Sequence, residues 1–228
     1  MSFKHFIKEL NGSRVEGELI MTFFYSLLTS LVFLVIVYYL KLNQIEGFVS
    51  KYGLFLFLSA LSYALISPAI RQVRAYKELP CMSGMMIGMT LGMISGFLPG
   101  FYLGATNGMF VGSVFGMIIG IVMGAWTGKC CGIMGIMEGV MAGFMGGLMG
   151  AMSSVMLLND HLKYMAIIVL VVSAVITLGL NYMIFKETTE SERQKREDHL
   201  FTIMITLILI AITTWFMVFG PRGGIFLG

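Results

Sequence analysis

A chain of 228 residues that is 57% hydrophobic and 12% charged carries more apolar surface than one water-soluble core can hide. At about 20 apolar residues per membrane helix, it reads as an integral membrane protein, which excludes a soluble enzyme, a disordered chain and a disulfide-stapled secreted domain. The net charge of +3 is too small and scattered for nucleic-acid binding, and three cysteines cannot all pair within one chain, so they read as reduced thiols.

In residues 1–18, Phe3, Phe6, Ile7 and Leu10 fall at helical spacing with Lys4 and Lys8 between them. That is the pattern of a short helix lying on the cytoplasmic membrane surface. The first apolar run begins near Leu19 and lacks a small-residue cleavage site after it, so it is expected to stay as a helix. Apolar stretches then predict helices at 19–40, 52–70, 81–98, 103–126, 130–157, 164–185 and 200–219. None alternates polar and apolar residues as a β-barrel would, so the fold class is all-α and polytopic, with seven spans. Two helices lie within 19–80, a Gly/Met-rich three-helix core within 81–157, and two more helices within 158–228, where 186–199 forms a charged cytoplasmic loop.

Eleven of the 15 Lys and Arg, among them Arg14, Arg71, Arg74, Lys129 and Lys186, fall on one side of this arrangement. That asymmetry puts the N-terminus in the cytoplasm and the C-terminus outside a plasma (inner) membrane of prokaryotic type.

From Gly84 to Gly132 every fourth residue is glycine, and on the next predicted helix glycines continue at 135, 139, 143, 146, 147 and 150. A tandem GxxxG pattern gives each helix a flat strip for close backbone approach, so helices three to five are expected to pack tightly at the centre, ringed by the other four. A narrow pore wall or a dimer face would use the same pattern.

Fifteen of the 21 methionines lie between Met82 and Met156. On the fifth predicted helix they recur in steps of three and four, at Met134, Met137, Met141, Met145, Met149, Met152 and Met156, which is one helical face. Met82, Met85, Met86, Met89 and Met93 form a second ladder on the third helix. Thioether and thiolate sulfur favour Cu(I) over harder ions. Cys81, Cys130 and Cys131 all fall at the cytoplasmic end, where Lys129 could lower a thiol pKa. Glu138 is the acidic residue placed deep within a span, as a proton-coupled or charge-compensating group or a protonated, hydrogen-bonded carboxyl. At the other end His161, after Asn159 and Asp160, is a candidate for metal capture. A competing expectation comes from phase: Met137, Met141 and Met145 each follow a glycine by two residues, so if glycines face neighbours these methionines face lipid.

Met85-x-x-x-Met89 and the GxxxG spacing resemble signatures in the membrane helices of Ctr-type copper transporters. The likeness covers a few dozen residues, and those proteins have three spans. It implies shared copper chemistry rather than a shared fold.

The leading functional expectation is binding and transport or delivery of Cu(I) along a methionine path, with the cysteines as the inner site and a cytosolic copper carrier or membrane subunit as partner. The alternative is a metal-free glycine-zipper scaffold or subunit of a larger membrane complex; a homo-oligomer is compatible with either. An enzyme is not expected, since His5, His161 and His199 lie outside the spans and no span holds an acid–base pair or a nucleophile beside a histidine.

Overall fold

The structure, a computed structural model, describes residues 15–40, 52–76, 80–187 and 199–221. The amphipathic segment before residue 15 and most of the charged loop after Glu187 lie outside the described residues. Among those described there are seven α-helices and no strand: α1 Val15–Leu40, α2 Leu54–Ala75, α3 Cys81–Asn107, α4 Met109–Gly128, α5 Gly132–Met156, α6 Leu162–Glu187 and α7 His199–Phe219. Six helical segments are long and apolar enough to cross a membrane; one of them is the 48-residue run Met109–Met156, which contains α4, the 3-10 turn Lys129–Cys131 and α5.

Two helix ends differ from those predicted, each for a local reason. The third helix continues through Pro99 to Asn107, and the fourth begins at Met109 rather than 103. A proline is tolerated inside a membrane helix where neighbouring groups re-satisfy the backbone. The break falls at Gly108 instead, whose φ of 108° is open to glycine and whose N–H still donates to Gly104 O at 3.2 Å. The second helix runs past Pro68 to Ala75 rather than ending near 70. The carbonyl of Ala64, which Pro68 cannot bond, accepts a hydrogen bond from Ser67 Oγ at 2.9 Å.

Run 109–156 doubles back on itself. A Cβ built on Gly120 would lie 2.7 Å from Gly143 O and 2.9 Å from Gly96 Cα, and the glycines at 116, 124 and 128 oppose those at 147, 139 and 135. The turn is permitted by Gly132, with φ 68° and nothing within 4 Å of a built Cβ, so it is glycine for its backbone angle and not for space. On the third side, a Cβ on Gly92 would lie 2.8 Å from Gly139 O and 3.1 Å from Gly124 Cα.

Of the three glycine-bearing helices it is mainly α3 that packs on both halves of the bundle. Helices α4 and α5 pack chiefly on α3 and on each other, whereas α2 touches α1, α3, α6 and α7. Helix α2 is the most enclosed, because Ser59, Ala60, Ser62, Ala64, Ser67 and Ala69 keep it slim on several sides. The expected ring of outer helices is therefore replaced by two packed groups joined through α2 and α3.

Helices α1, α6 and α7 bury small polar residues and turn many of their large apolar ones outward, although Leu180, Ile184, Phe185, Ile210 and Met217 are buried. Thr22, Ser26 and Ser30 are buried on α1, Ser173 and Thr177 on α6, and Thr206 and Thr213 on α7. Most of these hydroxyls bond a carbonyl of their own preceding turn, such as Thr22 to Glu18 O and Thr177 to Ser173 O, both at 2.8 Å. Leu28, Val175 and Leu200 are more than half exposed.

Gly120→Ala should force two backbones apart and destabilise the chain by about 1–3 kcal/mol, as overpacking does. Gly179→Ala on α6, where a built Cβ meets nothing within 4 Å, should be neutral or stabilising by up to about 1 kcal/mol through helix propensity. Thermal melts of the two variants in one detergent check this; equal shifts would mean that the glycines do not set the helix spacing.

Candidate functional site

The three cysteines meet at one end of the α3–α5 group. Cys81 is the first residue of α3, and Cys130 and Cys131 lie in the turn between α4 and α5. The Cys131 thiol donates to Cys81 O at 2.9 Å and is within hydrogen-bonding reach of the Cys81 and Cys130 thiols. A side chain at Gly84 would collide with both Cys130 Sγ, at 2.7 Å, and Cys131 Sγ, so the turn closes over α3 because residue 84 has no Cβ. Cys81 and Cys130 are exposed and Cys131 is half-buried.

In this turn, outside the helices, partial burial pushes the Cys131 thiol up, and the neighbouring thiols of Cys81 and Cys130 push it the same way. Lys129 is not among the groups that shift Cys131. Among the described residues no three His, Cys, Asp or Glu side chains are arranged as a group that could hold a metal ion.

The methionine ladder of α5 faces outward. Met134, Met137, Met141, Met145 and Met149 are each more than half exposed, while Gly135, Gly139, Gly143, Gly146, Gly147 and Gly150 are buried against α3 and α4. On α3, Met89 is 44% exposed and Met85 is intermediate. An interior path lined by these methionines is therefore not formed within one chain, and close backbone contact among α3, α4 and α5 leaves no glycine-lined pore between them. The reason is the phase of the two repeats: a residue two after a glycine lies about 200° round the helix.

Glu138 is half-buried at the edge of the same helix. His161 stands at the opposite end from the cysteines, exposed with φ 39°, its Nε2 4.0 Å from Asp160 Oδ1 and its ring edge-on to Tyr164. Asn159 beside it is exposed as well.

A second polar cluster lies at the cysteine end of the bundle. Arg71, 2% exposed in the last turns of α2, donates to Glu18 Oε2 and to Thr22 Oγ1 on α1, each at 2.6 Å. Next to it Gln72 Nε2 donates to Asn181 O on α6 at 3.3 Å. One turn on, the Arg74 guanidinium lies 3.8 Å from the ring centre of Phe201 and 5.5 Å from that of Trp126, tying α2 to α7 and α4. Sequence reading counted Arg71 and Arg74 as loop cations because it ended the second helix near residue 70. The available signal was the apolar spacing beyond Pro68, at Ile70 and Val73.

Comparison with family models, with curated proteins and with solved structures finds no match to this chain.

Two outcomes follow. At pH 8 Cys131 should alkylate more slowly than a free thiol of pKa ~8.5 and gain rate as pH rises, because the thiolate is the reactive form. Replacing Cys81 and Cys130 by Ser should speed Cys131 at pH 8, since both thiols push it up; peptide mass spectrometry checks this, and a rate already on its plateau at pH 8 would contradict it. Glu18→Ala should destabilise the bundle by about 1–3 kcal/mol, below the ~3–5 kcal/mol of breaking a fully buried pair, because the Glu18 side chain is 32% exposed. The double variant Glu18→Leu with Arg71→Met should recover most of that loss in the same detergent unfolding assay.

Proposed function

We propose that this chain is a non-catalytic multi-pass scaffold, or subunit of a larger complex, of a plasma (inner) membrane. In this reading it crosses the bilayer seven times. The 48-residue run is about 72 Å as one straight helix, more than twice the ~30 Å hydrocarbon core, and its two opposed glycine strips make it two crossings. Arg71, Arg74, Lys129 and Lys186 all lie toward the cysteine end, which favours a cytoplasmic location for that end and for the N-terminus.

The observation that carries the scaffold reading is the contact at Gly96, Gly116, Gly120 and Gly147. A Cβ on any of these would overlap the backbone of a neighbouring helix, so α3, α4 and α5 behave as one rigid slab with no internal conduit. Such a slab is suited to holding other membrane segments in fixed positions.

A second reading is favoured by the gathering of Cys81, Cys130 and Cys131 at one end: capture of Cu(I) from a cytosolic carrier by soft sulfur ligands, with Met85 and Met134 near them in the chain. Onward movement past Met137, Met141, Met145 and Met149 would then require a second chain against their outward face.

The two readings separate in one experiment. Gly143→Leu, and a variant with Met137, Met141, Met145 and Met149 all changed to Leu, are expressed at the native level; assembly size is followed by native electrophoresis and cell copper by elemental analysis. For a scaffold, Gly143→Leu breaks the assembly, while the Met-to-Leu variant, which keeps volume and helix propensity nearly constant, behaves as wild type. Copper content that changes in the Met-to-Leu variant with assembly intact would overturn the scaffold reading in favour of the second.

A further inference from the structure

Helices α1, α2 and α6 leave a lateral cavity of about 290 Å³ between them. Phe23, Leu65, Pro68 and Ala174 form apolar walls, and Ile20 and Leu178, 44% and 59% exposed, stand at its rim, so the opening faces where lipid would be. Two polar residues reach its lining. Thr177 already donates its hydroxyl to Ser173 O, but Asn181, 4% exposed, has an Oδ1 that accepts no hydrogen bond among the described residues. A buried amide oxygen left this way is costly, and an occupant that donates to it removes the penalty.

We infer that this cavity holds one acyl chain of a glycerolipid whose free hydroxyl donates to Asn181 Oδ1. The occupant's chemistry follows from the lining. A water molecule would need two to four polar partners, which apolar walls do not offer. The volume is at the small end of ligand pockets, about 300 Å³, and suits one chain rather than two.

Depth agrees with that choice. Asn181 is six residues, about 9 Å, from the end of α6, whereas Ala174 lies about 10 Å deeper. The hydroxyl end therefore sits toward the headgroup region and the chain runs toward the bilayer centre. Asn181 and Leu19 place the polar end beside the Glu18–Arg71 pair, so occupancy would brace α1 against α6 at the point where that pair braces it against α2. This inference is independent of the scaffold reading, since it involves none of the α3–α5 contacts.

The test uses the full chain in phosphatidylcholine nanodiscs, which supply no hydroxyl donor, doped with 1-monoolein or with its O,O-dimethyl ether. Retained lipid is counted by native mass spectrometry. Wild type should retain monoolein about tenfold over the ether, the factor that one buried hydrogen bond of about 1.4 kcal/mol gives. Asn181→Leu should lose that preference, and Ala174→Phe, which fills the cavity, should retain neither. Equal retention of the two lipids by wild type, retention of neither, or an unchanged preference in Asn181→Leu would overturn the assignment. Should Ala174→Phe fail to fold, the ether comparison and Asn181→Leu decide it alone.

Discussion

The bilayer offers no reward for burying a leucine, because lipid is as apolar as a protein core, and the rest of this architecture follows from that constraint. Helices associate here through close van der Waals contact and buried hydrogen bonds, which favour glycine, alanine, serine and threonine at the interfaces. Gly120 against Gly143, Ser62 and Ala64 within α2, and Thr22 and Ser26 on α1 all occupy contacts that leucine or phenylalanine would fill in a soluble bundle. Many large side chains go outward, Leu28, Val175 and Met141 among them, while Leu98, Phe101 and Ile184 stay buried between helices.

Glycine has two separate uses in this chain. At Gly108 and Gly132 it provides a positive φ, and the α3–α4 and α4–α5 turns form there. At Gly92, Gly96 and Gly120 the backbone is ordinary helix and the hydrogen atom is needed only for room. In water such a run would weaken a helix by about 1 kcal/mol per glycine relative to alanine. In lipid the helix is held by the need to satisfy its own backbone, so the same residues are free to serve contact between helices.

The all-helical class and the helix positions were legible because runs of 20 apolar residues dominate every other signal. Helix ends at Asn107 and Ala75 were not, since the helices run on through Pro99 and Pro68, and at Pro68 the freed Ala64 carbonyl is bonded by Ser67 Oγ. The outward phase of the methionines was present in the two-residue offset from each glycine, which decides the face without any coordinates. The place of α2 at the centre was harder to see: its serines and alanines form no fixed repeat as the glycines of α3 do. Arg71 was hidden altogether, because nothing in the sequence joins it to Glu18, 53 residues away, until two antiparallel helices bring them together.

The half of the bundle that holds this ion pair is built differently from the α3–α5 slab. A guanidinium 2% exposed needs fixed acceptors, and Glu18 and Thr22 supply two of them from α1. Helix α1 turns most of its surface outward, and beyond this ion pair it packs along α2 and α7. The contacts of the α3–α5 slab are continuous along three helices. One half of the molecule is thus fixed by backbone proximity over its whole length, the other by large side chains such as Tyr63, Ile184 and Ile210 packed between helices and by polar contacts at both ends, Arg71 to Glu18 at one and Asn107 Nδ2 to Phe216 O at 2.8 Å at the other.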